Sequence, residues 1–253
     1  GNTTSGFTTI SAGSVTVDQT APASQKTQGV VTTGGDNQVA GYWNSGNTGV
    51  DITVPIADDS SINGGTVQLL VSTDGGGSFV PLDTPSTISA VNTNKTISVA
   101  SGVLEGVAGF GESDVLQFKA TITDTSGNAT TGTVSDTTLT VDQTAATIST
   151  SSIASDNATV TLAKTGDTVT LTIATNENVS SPTVTFTSGG DAANNADTVS
   201  GSSPGTSFTS AYTINASDTD GTVAISVTAT DVAGNTTSGF TTISAGSVTV
   251  DTT

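Results

Sequence analysis

The residues able to do chemistry in this sequence are nearly all carboxylates and amides. Asp outnumbers Glu 19 to 3, Lys occurs four times, and Arg, His and Cys are absent. Imidazole bases, thiolate nucleophiles and guanidinium clamps therefore have no residues to draw on. What recurs is a spacing. A Val-Asp pair closes three segments, at Asp18, Asp142 and Asp251, and an Asp-x-x-Gly-Asn turn occurs at Asp124–Asn128 and again at Asp231–Asn235. Carboxylates joined by amide and backbone oxygens make a hard, all-oxygen donor set. Such a set suits Ca²⁺, which takes about six to eight oxygens at about 2.3–2.6 Å. Mg²⁺ fits less well, because irregular loops rarely supply an octahedron.

These acids have to be placed by strands. Val50, Ile52, Val54 and Ile56 alternate with polar residues, as do Leu116, Phe118, Ala120 and Ile122. Val169, Leu171 and Ile173 follow the same period, and so do Val223, Ile225, Val227 and Ala229. Period-2 burial with Thr on the outward positions predicts half-buried strands, and no long stretch reads as helix. Gly75–Gly77 supply a hairpin turn. Some seven short strands recur in each half between turn signals, which predicts an all-β chain of two tandem immunoglobulin-like β-sandwiches.

The register comes from one stretch. Gly1–Asp18 returns letter for letter as Gly234–Asp251. The second copy closes a domain, so residues 1–19 are expected to be an orphan N-terminal strand from a preceding repeat, followed by domains at 20–142 and 143–253. In such a sandwich the B–C and F–G loops lie at the end where the chain enters. The first junction should then gather Asp18, Asp124, Asn128 and either Asp58 or Asp59. The second should gather Asp142, Asp231, Asn235 and Glu177, the last from an Asn176–Asn178 loop; Asp251 would serve a third. Against this stands a plainer reading, in which Asp and Asn make Asx-turns and Gly127 and Gly234 take left-handed backbone.

The Val-Asp-x-Thr-Ala-Pro junction at Val17–Pro22, the strands ending in Asp-x-x-Gly-Asn and the segment Leu162–Ile173 (LAKTGDTVTLTI) together resemble bacterial Ig-like repeats. These belong to giant surface adhesins, biofilm-associated proteins and the extender regions of RTX adhesins. The resemblance implies long extracellular stalks whose domain junctions are stiffened by calcium. The first domain departs further from the pattern, with an insertion-like region around Pro81–Gly111.

Composition narrows the partners. A net charge of −18 leaves no basic face for nucleic acid and disfavours anionic membranes. With no Cys there are no disulfides, so a small core needs another staple. No apolar run is long enough for membrane insertion. Other candidates carry less. Ser72-x-Asp74-x-Gly76-x-Ser78-Phe79 fits an Asp-box hairpin, which is a structural turn. Glu105 and Glu112 could pair as catalytic carboxylates, but they lie in a Gly-rich connection with little to shape a pocket around them. The Ala163–Thr168 segment lacks the glycines of a P-loop. Asp218 and Asp220 look like half a calcium loop without its remainder, while Asp36, Asp156, Asp191 and Asp197 read as solvated. Tyr42 and Trp43 either stack on sugar or plug the core.

The expectation is a non-enzymatic extender at a bacterial cell surface, each domain adding about 40 Å. Its partners would be neighbouring repeats, with a possible head-to-tail filament through residues 1–18. The rival is a carbohydrate- or ice-binding module using an open Trp43 or flat rows of outward Thr.

Overall fold

The computed structural model describes residues 17–35, 37–193 and 198–253. Most of the repeated opening segment, including Phe7, Ile10 and Val15, lies outside the described residues, as do Asp36 and Asp197. The expected orphan strand and filament contact fall there too.

The first half runs β1 (Gln28–Thr33), β2 (Tyr42–Trp43), β3 (Gly49–Ile56), β4 (Thr66–Ser72), β5 (Val80–Thr87), β6 (Thr93–Ala100), a one-turn α1 (Ser101–Leu104), β7 (Val115–Thr123), β8 (Ala129–Thr131) and β9 (Leu139–Val141). One sheet has the order β1-β3-β6; the other is β2-β9-β7-β4-β5, with β8 also on β7. The second half repeats the plan with β10 (Ile148–Ser155), β11 (Leu162–Ala163), β12 (Thr168–Val179), β13 (Thr183–Ser188), β14 (Asp191–Ala192), β15 (Thr198–Ser200), β16 (Gly205–Thr213), β17 (Gly221–Thr230), β18 (Thr236–Phe240) and β19 (Thr249–Val250). Its sheets are β10-β12-β16-β15 and β11-β19-β17-β13-β14, with β18 also on β17. This is the strand plan of an immunoglobulin-like sandwich.

Every alternating set read from the sequence faces a core: the four apolar residues of β3 and of β7 in the first, and those of β12 and β17 in the second. The first core runs from Val30 to Val141 and the second from Ala146 to Val250. Trp43 is completely buried, and its indole N–H donates to Glu105 Oε1 at 3.1 Å.

Three details differ from the sequence reading. Asn176–Asn178 is no separate loop but lies inside β12, where the ladder to β16 is interrupted between Ala174 and Val179. The closing strand of each domain is broken into two pieces, β8 and β9 or β18 and β19. Much of Pro81–Gly111 is ordinary sheet, since β5 pairs β4 and β6 pairs β3; the irregular part is the connection after β6. The Asp-box hairpin is a structural turn: Asp74 accepts from the Ser78 N–H at 3.0 Å and from the Ser72 hydroxyl at 2.6 Å, and these bonds hold its carboxyl far below the usual range. No helix among the described residues is long and apolar enough to cross a membrane.

Candidate metal centre at the domain joint

The joint is built from a strand end, a turn and a bulge. Val141 ends β9 in the first core, and the next amide, Asp142 N–H, donates to Trp43 O at 2.9 Å, so the parallel pairing with β2 aims the linker. The F–G turn of the second domain closes on itself. Asp231 Oδ1 accepts from the Ala233 and Asn235 amides, both at 2.9 Å, and Gly234 takes the left-handed φ of +99°. That glycine is needed twice over, because a Cβ there would sit 2.5 Å from Asn37 O of the first domain. Val179 bridges to Asp231, so the irregular end of β12 swings Glu177 against the turn.

Carboxylate oxygens of Asp142, Glu177 and Asp231 consequently lie within 4.8 Å of one another. Oxygens sharing one Ca²⁺ at about 2.4 Å can be no more than about 4.8 Å apart, so the spacing is compatible with a common cation. Burial raises the Asp142 carboxyl above its ordinary value, and the negative charges of Asp231 and then Glu112 raise it further. Glu177 is raised likewise, by burial first and then by Asp142, Asp231 and Glu112. Among the described residues no lysine forms an ion pair with any of these acids; the ion pair present joins Lys26 to Asp136 elsewhere.

Asn235 ties the acids to both domains. Its amide nitrogen donates to the Asp142 carbonyl at 2.9 Å and to Asp231 Oδ2 at 3.0 Å. Its oxygen accepts from the Ser45 N–H at 2.9 Å and the Ser45 hydroxyl at 2.8 Å. Asn44 adds a bond from its amide nitrogen to Ala233 O at 2.8 Å, and Asn37 one to the Thr236 hydroxyl at 3.2 Å. The two sandwiches are thus in direct hydrogen-bonded contact beside the linker.

The first junction is partly alike. Asn128 donates to the Asp18 carbonyl at 3.2 Å and to Asp124 Oδ2 at 2.9 Å, the same turn in the same place. Asp18, Asp58, Asp59 and Asp124, however, form no three-carboxylate group. Asp59 is spent as the N-cap of a short 3-10 turn, accepting from the Ser61 N–H and hydroxyl, and Asp58 is exposed. The bonds from Asn128, Ser126 and Gly127 hold the Asp124 carboxyl below its ordinary value. At the far end, Asp251 is exposed and accepts from the Thr253 N–H and hydroxyl.

Glu112 is the acid that sequence reasoning missed. By sequence it pairs with Glu105 as a candidate catalytic carboxylate, but both belong to the joint. Glu112 Oε2 accepts the Gln143 N–H at 3.0 Å, and Glu105 Oε1 accepts the Gln143 side-chain amide at 2.8 Å. Their signal was position: both fall in the connection leading into β7, at the same pole as β2 and the end of β9.

No protein-family model matches the sequence, and neither does any curated protein. Among solved structures, the FN1–FN3 domains of chicken CNTN1 are similar at 14% identity over 88% of this chain and 68% of that one, with a TM-score of 0.35. A tetra-tandem repeat from the extending region of a large adhesion protein is similar at 18% identity over 91% of this chain, with a TM-score of 0.31. This chain covers 50% of that repeat array. A chimeric titin Z1Z2 pair matches at 13% identity over 92% of this chain and 99% of its own length, with a TM-score of 0.29.

Proposed function

We propose that the chain is a load-bearing extender: two stacked Ig-like modules that hold something else away from a bacterial cell surface, with Ca²⁺ bound at their joint. The observation that carries this is the convergence of Asp142 from the linker with Glu177 and Asp231 from the following module, beside Glu112 of the preceding one. Three or four carboxylates without a countercharge repel across a joint that direct hydrogen bonds hold closed, and a divalent cation turns that repulsion into attraction from both sides. The donors are all oxygen, as hard cations require. Buried Trp43 offers no aromatic platform to a sugar.

The test is small-angle scattering and calorimetry on the whole chain, with calcium and with EDTA. Calcium should raise the melting temperature and narrow the distribution of interdomain angles, and Asp142→Ala should remove both responses. Unchanged scattering and melting would exclude a metal at the joint.

A second reading has one feature in its favour. Exposed Ser152, Thr172, Thr209 and Ser200 form a row across β10, β12, β16 and β15, a hydroxyl line of the sort a flat ligand could meet. The adjacent row, Ala154, Thr170, Ala211 and Thr198, is interrupted by alanines. An ice-recrystallisation assay and a glycan array, both expected to be blank, separate the two readings.

A further inference from the structure

The end of the first domain that receives the second has a counterpart at the far end of the second. At the first pole, β2 pairs in parallel with β9, and Asp142 N–H donates to Trp43 O at 2.9 Å. At the other, β11 pairs in parallel with β19, and Asp251 N–H donates to Ala163 O at 2.9 Å. One residue on, Gln143 N–H goes to Glu112 at 3.0 Å, and Thr252 N–H goes to Asp220 at 2.7 Å. Asp220 and Asp251 therefore stand where Glu112 and Asp142 stand.

The adjoining turns correspond as well. Asn44–Asn47 closes with Asn47 N–H on Asn44 O at 3.2 Å and Asn44 N–H on Asn47 Oδ1 at 2.8 Å. Lys164–Asp167 closes with Asp167 N–H on Lys164 O at 3.0 Å and Lys164 N–H on Asp167 Oδ2 at 2.9 Å. Gly166 differs from Gly46 in having a φ of +92°, which reorients the central peptide of the turn. The amide that matters lies one peptide earlier. Ser45 uses its N–H and hydroxyl to hold Asn235, and Thr165 offers the same two donors. Asn44 is only 2% exposed beneath the second domain, whereas its counterpart Lys164 is exposed; the next two residues are exposed at both poles.

From this correspondence we infer that the pole formed by Lys164–Asp167, Asp220 and Asp251 is a docking face for a further Ig-like module, which it receives through that module's Asp-x-x-Gly-Asn turn. The partner's Asn takes the Thr165 N–H and hydroxyl. Lys164 replaces the Asn44 amide as donor to the turn carbonyl and adds a positive charge facing an acidic loop. A partner that brings a Glu177-like and an Asp231-like acid completes a four-acid cluster with Asp220 and Asp251. The inference rests on the stacked-module reading above, and it assigns contact residues to a pole where Lys164, Thr165 and Asp251 are exposed among the described residues.

The sequence itself provides the experiment. Asp251-Thr252-Thr253 stands in register with Asp142-Gln143-Thr144, so a second copy of residues 145–253 can follow Thr253 directly. The chain has no cysteine, so pairs introduced on either side of each joint can be spin-labelled and their distance distributions measured. The added joint should be as narrow as the native one. Thr165→Pro removes both donors while suiting the second position of a turn with a left-handed third residue. It should broaden the added joint at least twofold, leave the native joint narrow and leave module melting unchanged. A broad added joint beside a narrow native one overturns the docking face alone, as does a narrow added joint that Thr165→Pro leaves narrow. Two broad joints overturn the stacked-module reading with it.

Discussion

Asn235→Ala and Asn128→Ala remove the same residue from the same turn in two domains, and the joint makes their costs unequal. Within the turn the losses match: Asn235 donates to Asp231 Oδ2 at 3.0 Å, and Asn128 to Asp124 Oδ2 at 2.9 Å. Each also donates to the carbonyl of a linker aspartate, Asp142 or Asp18. Among the described residues, Asn235 alone of the two also accepts a pair of bonds from Ser45 of the preceding domain, and it approaches Asp142 Oδ1 at 3.2 Å. Asn235 is 3% exposed but Ser45 is exposed, so water can reach the Ser45 donors after truncation and the extra loss is the net worth of the two bonds. A neutral hydrogen bond contributes about 0.5–1.5 kcal/mol net, and one to a charged group about 1.5–3 kcal/mol. Allowing for non-additivity among bonds that share one side chain, Asn235→Ala should cost about 1–3 kcal/mol more than Asn128→Ala. A difference of 1 kcal/mol corresponds to roughly 4–8 °C in a domain near this size. Differential scanning calorimetry on the two variants measures it, and scattering in the same buffer should show that only Asn235→Ala loosens the interdomain angle. Equal melting shifts with an unchanged angle would refute the claim that bonds crossing the joint hold it.

The remaining predictions concern charge and core. Without calcium, the raised carboxyls of Asp142 and Glu177 bind protons more tightly folded than unfolded. Stability of the joint should therefore rise as pH falls from neutral through their folded values, levelling below the ordinary values of 3.8 and 4.5; calcium should abolish that rise, as melting against pH with and without EDTA will show. Asp167 has the opposite sign. The Asn157 amide and then the Lys164 N–H hold it low, so its contribution is present above 3.8 and lost as pH falls through the lowered value, and Asp167→Asn should flatten the acid limb of the second domain's melting curve. Trp43→Ala should cost about 3–5 kcal/mol in urea unfolding of the first domain, while a glycan array stays blank before and after.

Strand alternation was legible because burial on a pleated sheet is a property of neighbours two apart, and β3, β7, β12 and β17 each carry four or three such apolar residues in line. The turns Asp124–Asn128 and Asp231–Asn235 were legible for a related reason: Asp, Gly and Asn at fixed offsets bond within five residues. What the sequence left open was convergence over distance. Asp59 and Glu177 looked equivalent as acids between the second and third large strands of their domains. One is spent on capping a short helical turn, while the other is carried to the joint by an irregular ladder, and both outcomes depend on backbone geometry that composition does not encode. Glu105 and Glu112 were opaque for the converse reason. Their partners, Trp43 and Gln143, are far away in sequence, and only the parallel pairing of β2 with β9 brings the end of the domain back over them. That pairing joins core to joint. The backbone of the same buried tryptophan directs Asp142 into the acidic group while its indole holds Glu105 at the linker, so a change to the packing of the first core will be felt in the angle of the second domain.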